Sequence, residues 1–347
     1  MVRNSLFILF LIFATSSHSQ EIISDISQVD TVKFRKYKTL LQFSASADFL
    51  DAAINSINSF QSILKKENYR ARVISFNNPT STDLGFSLEN EINAALKPLL
   101  SKAKNTNPAK FSDIVSSIIQ TPSKIPVVKT AIPAINPVFS SLIGLVGTLS
   151  VQEKKITRSD LDSFILTTSK YFVQYQKLNQ ANILFDQNIN RLNNRMSELQ
   201  FDIKEYLLDL ITIIYKTVQR AQSRNKNAEE LFLQYLERTT LMQKLEPEIL
   251  FEIIFPADGI KTAKDIAYNL QKLFNEYQKV YAENYQQIRA ILMESKAIGK
   301  NVNTRQVDAS LKELELLYNE SKNADSLGLR LKTLFERLKV LVNTEQA

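Results

Sequence analysis

"SDLDSFILTTSKYFVQYQKLNQANILFDQNINRLNNRMSELQFDIKEYLLDLITI", residues 159–213, carries apolar side chains in alternating steps of three and four. After a cap expected at Ser159 they fall at Leu161, Phe164, Tyr171, Tyr175, Leu178, Phe185, Ile189, Leu192, Met196, Leu199, Ile203, Tyr206, Leu210 and Ile213. Only Thr168 and Asn182 interrupt the seam. This is the pattern of a coiled-coil helix, and neither Gly nor Pro occurs between Thr148 and Glu246 to break it. At a rise of about 1.5 Å per residue such a helix is roughly 80 Å long, a rod rather than the filling of a sphere.

Two further seams flank it. Leu40, Phe43, Ala47, Leu50, Ile54, Ile57, Gln61 and Leu64 form one, preceded by the mixed basic and aromatic stretch "KFRKYK" at 33–38. The other follows a break at Pro256, Asp258 and Gly259, where Asp258 can cap the helix. It runs through Ile260, Ala263, Ala267, Leu270, Phe274, Tyr277, Tyr281, Asn284, Ile288, Ile291, Ser295 and Ile298, ending near Gly299. Shorter helical patterns occupy 84–104, 110–120, 226–245, 305–322 and 327–342. Short connections favour helices that fold back antiparallel and bury their seams on one another; facing other chains is the alternative. Asn182 and Asn284, each alone in an apolar seam, are expected to set register and to hydrogen-bond to each other if they share a bundle.

Composition agrees. Six Gly in 347 residues are too few for the turns of a β-sandwich or for a phosphate-cradling α/β domain. The expected fold is all-α: an elongated antiparallel helical bundle with long coiled-coil helices and a small Pro-rich and apolar head. The segments are 1–19 as a signal peptide, 20–107 as N-terminal helices, 108–152 as the head, and 153–347 as long and C-terminal helices of the same bundle.

Residues 1–19 read as a secretory signal, with Arg3, an apolar run from Leu6 to Ala14, and small Ser17 and Ser19 before the cleavage point. Cleavage removes the single histidine, His18, and the chain has no Cys. Without either there is no Ser-His-Asp triad, no Cys-His nucleophile and no imidazole or thiolate metal site. No disulfide holds the exported protein together. The expectation is an exported, periplasmic or extracellular protein that is not an enzyme and binds no cofactor or metal. "SxxK" pairs at Ser62/Lys65, Ser101/Lys104 and Ser223/Lys226 lack the companion motifs of acyl-enzymes. Carboxylate clusters such as Glu89/Glu91, Glu246/Glu248/Glu252 and Glu313/Glu315 resemble ordinary solvated helix faces.

One stretch stands apart. Pro108, Pro122, Pro126, Pro133 and Pro137 crowd into 30 residues and argue for an irregular or extended arm. It leads into 23 residues without a charge, Thr130 to Gln152, in which Gly144 and Gly147 offer a small-residue face to another helix. Val138 to Val151 is too short to cross a bilayer unaided. It is either a buried helix plugging one end of the bundle or an apolar element exposed on meeting a membrane or a partner's groove.

Long helices flanking one short, Pro/Gly-marked apolar element resemble the α-helical pore-forming toxins of the cytolysin A and haemolysin BL type. That resemblance covers Thr31 to Asn301. It implies a head that inserts on oligomerisation, with Val138, Phe139, Leu142, Ile143, Leu145, Val146 and Leu149 as the membrane- or partner-contacting residues. This chain offers one apolar pass where that family has a hairpin or tongue.

The net charge of +7 and isoelectric point near 9.2 suit an anionic surface better than nucleic acid in an exported chain. Helix 327–342 sets Arg330, Lys332, Arg337 and Lys339 beside Leu327, Leu331, Leu334, Leu338 and Leu341. It either lies on an anionic membrane or is a bundle helix with a basic outer face. Expected function is therefore surface contact: a structural or protein-binding role with an unknown partner or through self-association, or alternatively a membrane-active, toxin-like role.

Overall fold

The structure, a computed structural model, describes residues 18–65, 68–103, 106–120, 135–153, 155–245, 253–299, 301–322 and 325–346. Residues 1–17 of the expected signal, Pro122, Pro126 and Pro133, and the Glu246/Glu248/Glu252 cluster lie outside them. Among the described residues the chain is all-α. The helices are α1 His18–Leu64, α2 Asn68–Ser75, α3 Leu88–Lys102, α4 Pro108–Gln120, α5 Ile135–Gln152, α6 Arg158–Ile214 and α7 Arg220–Ser223. They continue with α8 Ala228–Leu231, which runs into a π-turn at Phe232–Leu236, then α9 Arg238–Lys244, α10 Gly259–Ser295, α11 Thr304–Lys322 and α12 Asp325–Gln346.

The chain divides into two compact units, each assembled from separated stretches. The first comprises Met1–Ser59, Ser197–Gln271 and Leu327–Ala347; the second comprises Phe60–Met196 and Lys272–Ser326. Within the second, α6 and α10 run antiparallel: Lys177 pairs with Glu294 at 2.5 Å, and Arg195 with Glu276 further along. Helix α11 returns against α10, with Tyr285 stacked on Tyr318 at 4.3 Å and Lys296 paired with Asp308. In the first unit, α12 returns along α1: Arg337 meets Asp48 at 3.5 Å, and the Lys38 ammonium donates to the Glu345 carbonyl at 2.9 Å.

The seams supply the core. On α6 every seam position from Phe164 to Leu210 is buried, including Thr168 and Asn182; Leu161 and Ile213 at its ends are half-buried. On α10 the buried positions follow the expected seam except Phe274, the last expected position Ile298 is half-buried beyond the helix end, and Ile266, Leu273 and Leu292 widen the stripe. Each such aliphatic or aromatic side chain contributes roughly 1.5–3 kcal/mol on burial.

Several local expectations are corrected. Thr157, not Ser159, caps α6. Its hydroxyl accepts from the Asp160 amide at 3.3 Å while the Asp160 carboxylate accepts from the Thr157 amide at 2.9 Å, a reciprocal pair that satisfies two end donors. Residues 84–87 are turn and cap rather than helix: Gly85 adopts φ +80°, and the Ser87 hydroxyl accepts from the Asn90 amide to start α3. Pro108 does not begin an irregular arm; it opens α4 at the position where a missing amide costs nothing. Pro137 lies in the first turn of α5 for the same reason. Asp258 precedes α10 as expected, its carbonyl accepting from the Thr262 amide at 2.9 Å.

Candidate functional site

Helix α5 carries the contact residues expected from sequence, and in the second unit it is part of the packed core. Leu142, Val146 and Leu149 recur at steps of four and three and are buried, and Phe139 sits half-buried with its ring 4.5 Å from Phe172 of α6. Ile143 and Leu145 are half-buried on the flanks. Val138 lies on the helix, but its side chain is outside the described residues. The outer face carries Ser140, Ser141, Gly144 and Thr148 and, near its C-terminal end, Val151, which is 84% exposed. A Cβ built on Gly144 or Gly147 meets nothing within 4 Å among the described residues, so the space beside these two positions would admit a larger side chain.

Buried polar groups of this unit bond across its helices, although the Asn182 Oδ1 and Gln174 Oε1 atoms find no hydrogen-bond partner among the described residues. Asn182 and Asn284 do not bond to each other. The Asn182 amide donates to the Val73 carbonyl at 3.2 Å, covering an orphan acceptor in the last turn of α2. Asn284 accepts from the Tyr69 hydroxyl at 2.9 Å and donates to the Ala181 carbonyl at 3.4 Å. Around them Tyr69, Phe185, Tyr277 and Tyr281 form edge-on and tilted aromatic contacts with centroids 4.5–5.7 Å apart. Burial drives the Tyr69 and Tyr277 hydroxyls well above the ordinary phenol value and pushes Tyr281 up to about 12. All three stay protonated donors across the physiological range.

Arg72 is the charged hub of the same unit. Its guanidinium holds Asp83 through two 3.0 Å bonds, reaches Glu313 at 2.8 Å and lies 4.4 Å over the Phe76 ring. Burial raises the Asp83 carboxyl, but bonds from Arg72 and Ser81 outweigh it and hold the group below its usual value. This network ties α2, the turn before α3 and α11 together; it is a structural clasp. Two of the "SxxK" serines bond to backbone one turn back: Ser223 donates to the Gln219 carbonyl and Ser101 to the Pro98 carbonyl. Among the described residues no group of three or more Asp, Glu or His side chains converges as a metal site.

A concave feature of the first unit has no counterpart among the expectations from sequence. A half-open cleft of about 270 Å³ is lined by Ile253, Phe255, Pro256 and Ile260 on one side and by Arg35 and Lys38 on the other, with Glu345 at its edge. Phe255 is fixed by an edge-on contact with Phe43 at 5.3 Å. Next to it Ile254 is 81% exposed, and on α1 Phe34 and Tyr37 are 55% and 61% exposed. The basic and aromatic "KFRKYK" stretch was the visible half of this site. Its apolar half lies more than two hundred residues further along the chain, where no periodicity marks it. The α12 leucines Leu327, Leu331, Leu334 and Leu341 are buried, so that helix is a bundle element with Arg330, Lys332 and Lys339 turned outward.

No helix among the described residues is long and apolar enough to cross a membrane. No protein family, no curated protein and no solved structure matches the chain.

Proposed function

We propose that the protein is an exported, non-enzymatic helical bundle that acts by presenting its surface to another protein. The observation that carries this reading is the placement of α5: Leu142, Val146 and Leu149 face the core, so the most apolar helix serves as packing. Support also comes from the buried polar groups of the second unit, where Arg72, Asp83, Tyr69 and Asn284 are occupied with one another. The exposed side chains of this basic protein are groups it offers to a partner.

A membrane-active, toxin-like role requires α5 to leave that core, and this can be tested directly. The chain has no native cysteine, so Phe139→Cys together with Phe172→Cys allows a short bismaleimide to pin α5 to α6. On the proposed function, residues 20–347 release no dye from anionic or neutral liposomes whether bridged or not. Release by the unbridged protein that vanishes on bridging would replace the protein-contact reading with the membrane-active one.

A further inference from the structure

Three features of the cleft in the first unit point to a ligand of mixed character. Its floor is apolar and rigid: Ile253 is buried, Phe255 is locked against Phe43, and Pro256 fixes the backbone leading into α10. Its α1 wall is cationic. Lys38 is anchored by its bond to the Glu345 carbonyl, which sets its ammonium at the cleft, while exposed Arg35 has no carboxylate partner among the described residues. Of its apolar lining, Ile254 is open to solvent, while Thr39 and Gln42 of α1 add polar groups to the wall.

Size decides between classes of occupant. Pockets for drug-sized molecules and cofactors usually run from about 300 to about 1,000 Å³. At about 270 Å³ and half open, this cleft lies at the foot of that range and suits one large side chain of a longer ligand. A buried apolar anchor surrounded by a polar, water-excluding rim is the usual form of a protein–protein hot spot. Two cations facing one carboxylate at the rim favour an anionic ligand, and charge complementarity of this kind selects and orients a partner.

We infer that this cleft is the docking pocket for a segment of a partner protein in which one large apolar side chain is flanked by carboxylates. The inference rests on the protein-contact reading and names the surface and partner chemistry it leaves open. The apolar anchor enters between Ile253, Phe255 and Ile260. The flanking carboxylates meet Arg35 and Lys38.

The test uses the full mature chain and a fluorescent peptide with one Phe between two pairs of Glu. Two control peptides replace the Glu residues by Lys or the Phe by Gly. The Glu/Phe peptide should bind, and both controls should bind at least tenfold more weakly. Its affinity should fall at least tenfold in Arg35→Glu and in Ile254→Asp. Both positions are exposed, and matched melting curves check that the fold is intact. Leu166→Asp, at a 75% exposed position in the second unit, should leave the affinity unchanged. Absence of binding by the Glu/Phe peptide overturns the inference. Binding that survives Arg35→Glu and Ile254→Asp also overturns it, while leaving the protein-contact reading intact. Phosphatidylglycerol vesicles and octanoate form separate arms. Binding confined to either and lost in Arg35→Glu makes the cleft a lipid site and overturns both readings.

Discussion

Arg72 shows how much one side chain carries in the second unit. It joins Asp83, Glu313, Ser75 and Phe76 from a position only 16% exposed. Removing it strands the largely buried Asp83 carboxylate, whereas half-exposed Glu313 keeps its water, so Arg72→Ala should cost about 3 kcal/mol in urea unfolding. Breaking the exposed Lys279–Glu283 pair of α10 should cost no more than roughly 0.5 kcal/mol. Asn284→Leu leaves the buried Tyr69 hydroxyl without its acceptor and should cost roughly 1–3 kcal/mol. The aromatic cluster also sets an alkaline limit. A phenol whose folded value lies above its unfolded one stabilises fully below about pH 10 and loses that contribution as pH rises. With Tyr281 of that cluster, and Tyr206 of the first unit, each near 12, stability should decline from about pH 10 to about pH 12. The urea midpoint followed by helical circular dichroism should fall across that range; a midpoint unchanged between about pH 9 and about pH 12 would show that these phenols are not buried.

The long seams were legible in the sequence because an apolar step of three and four over many turns has one physical solution. Almost every position so marked on α6 and α10 is buried. The ends of elements were harder to read. Ser159 and Thr157 are both good caps by type, and only the reciprocal bonds with Asp160 distinguish them. Thr157→Ala should therefore lower stability by roughly 1 kcal/mol, whereas Ser159→Ala should be nearly neutral. Lys102 and the Thr157 bonds hold the Asp160 carboxyl at about 2, below its ordinary 3.8. Its contribution to the α6 start is present above pH 4 and is lost as pH falls through about 2. Gly85 marks another boundary that periodicity did not reveal. At φ +80°, an added Cβ would lie 2.7 Å from Val302 and 2.9 Å from the Asn303 carbonyl. Gly85→Ala should cost roughly 1–3 kcal/mol in thermal unfolding.

In the molecule as a whole, each unit gathers stretches far apart in the chain, and this explains what the sequence concealed. The cleft joins α1, the approach to α10 and the end of α12; Lys38 and Glu345 are separated by 307 positions. Neither the Asn182 cap on α2 nor the Asn284–Tyr69 bond is visible in a linear pattern, because each crosses between helices. The same closure makes the C-terminal helix indispensable to the first unit. Removal of residues 327–347 takes away four buried leucines and the Arg337–Asp48 contact, and should abolish cooperative unfolding of that unit. The apolar helix α5 is where a packed bundle and a membrane-inserting protein differ most. Hydrogen exchange of the amides of residues 142–149, measured with and without anionic vesicles, reads that difference directly. Protection that is strong and unchanged by vesicles is the expected result; loss of protection on adding vesicles would mean that α5 leaves the core and that the protein acts on membranes.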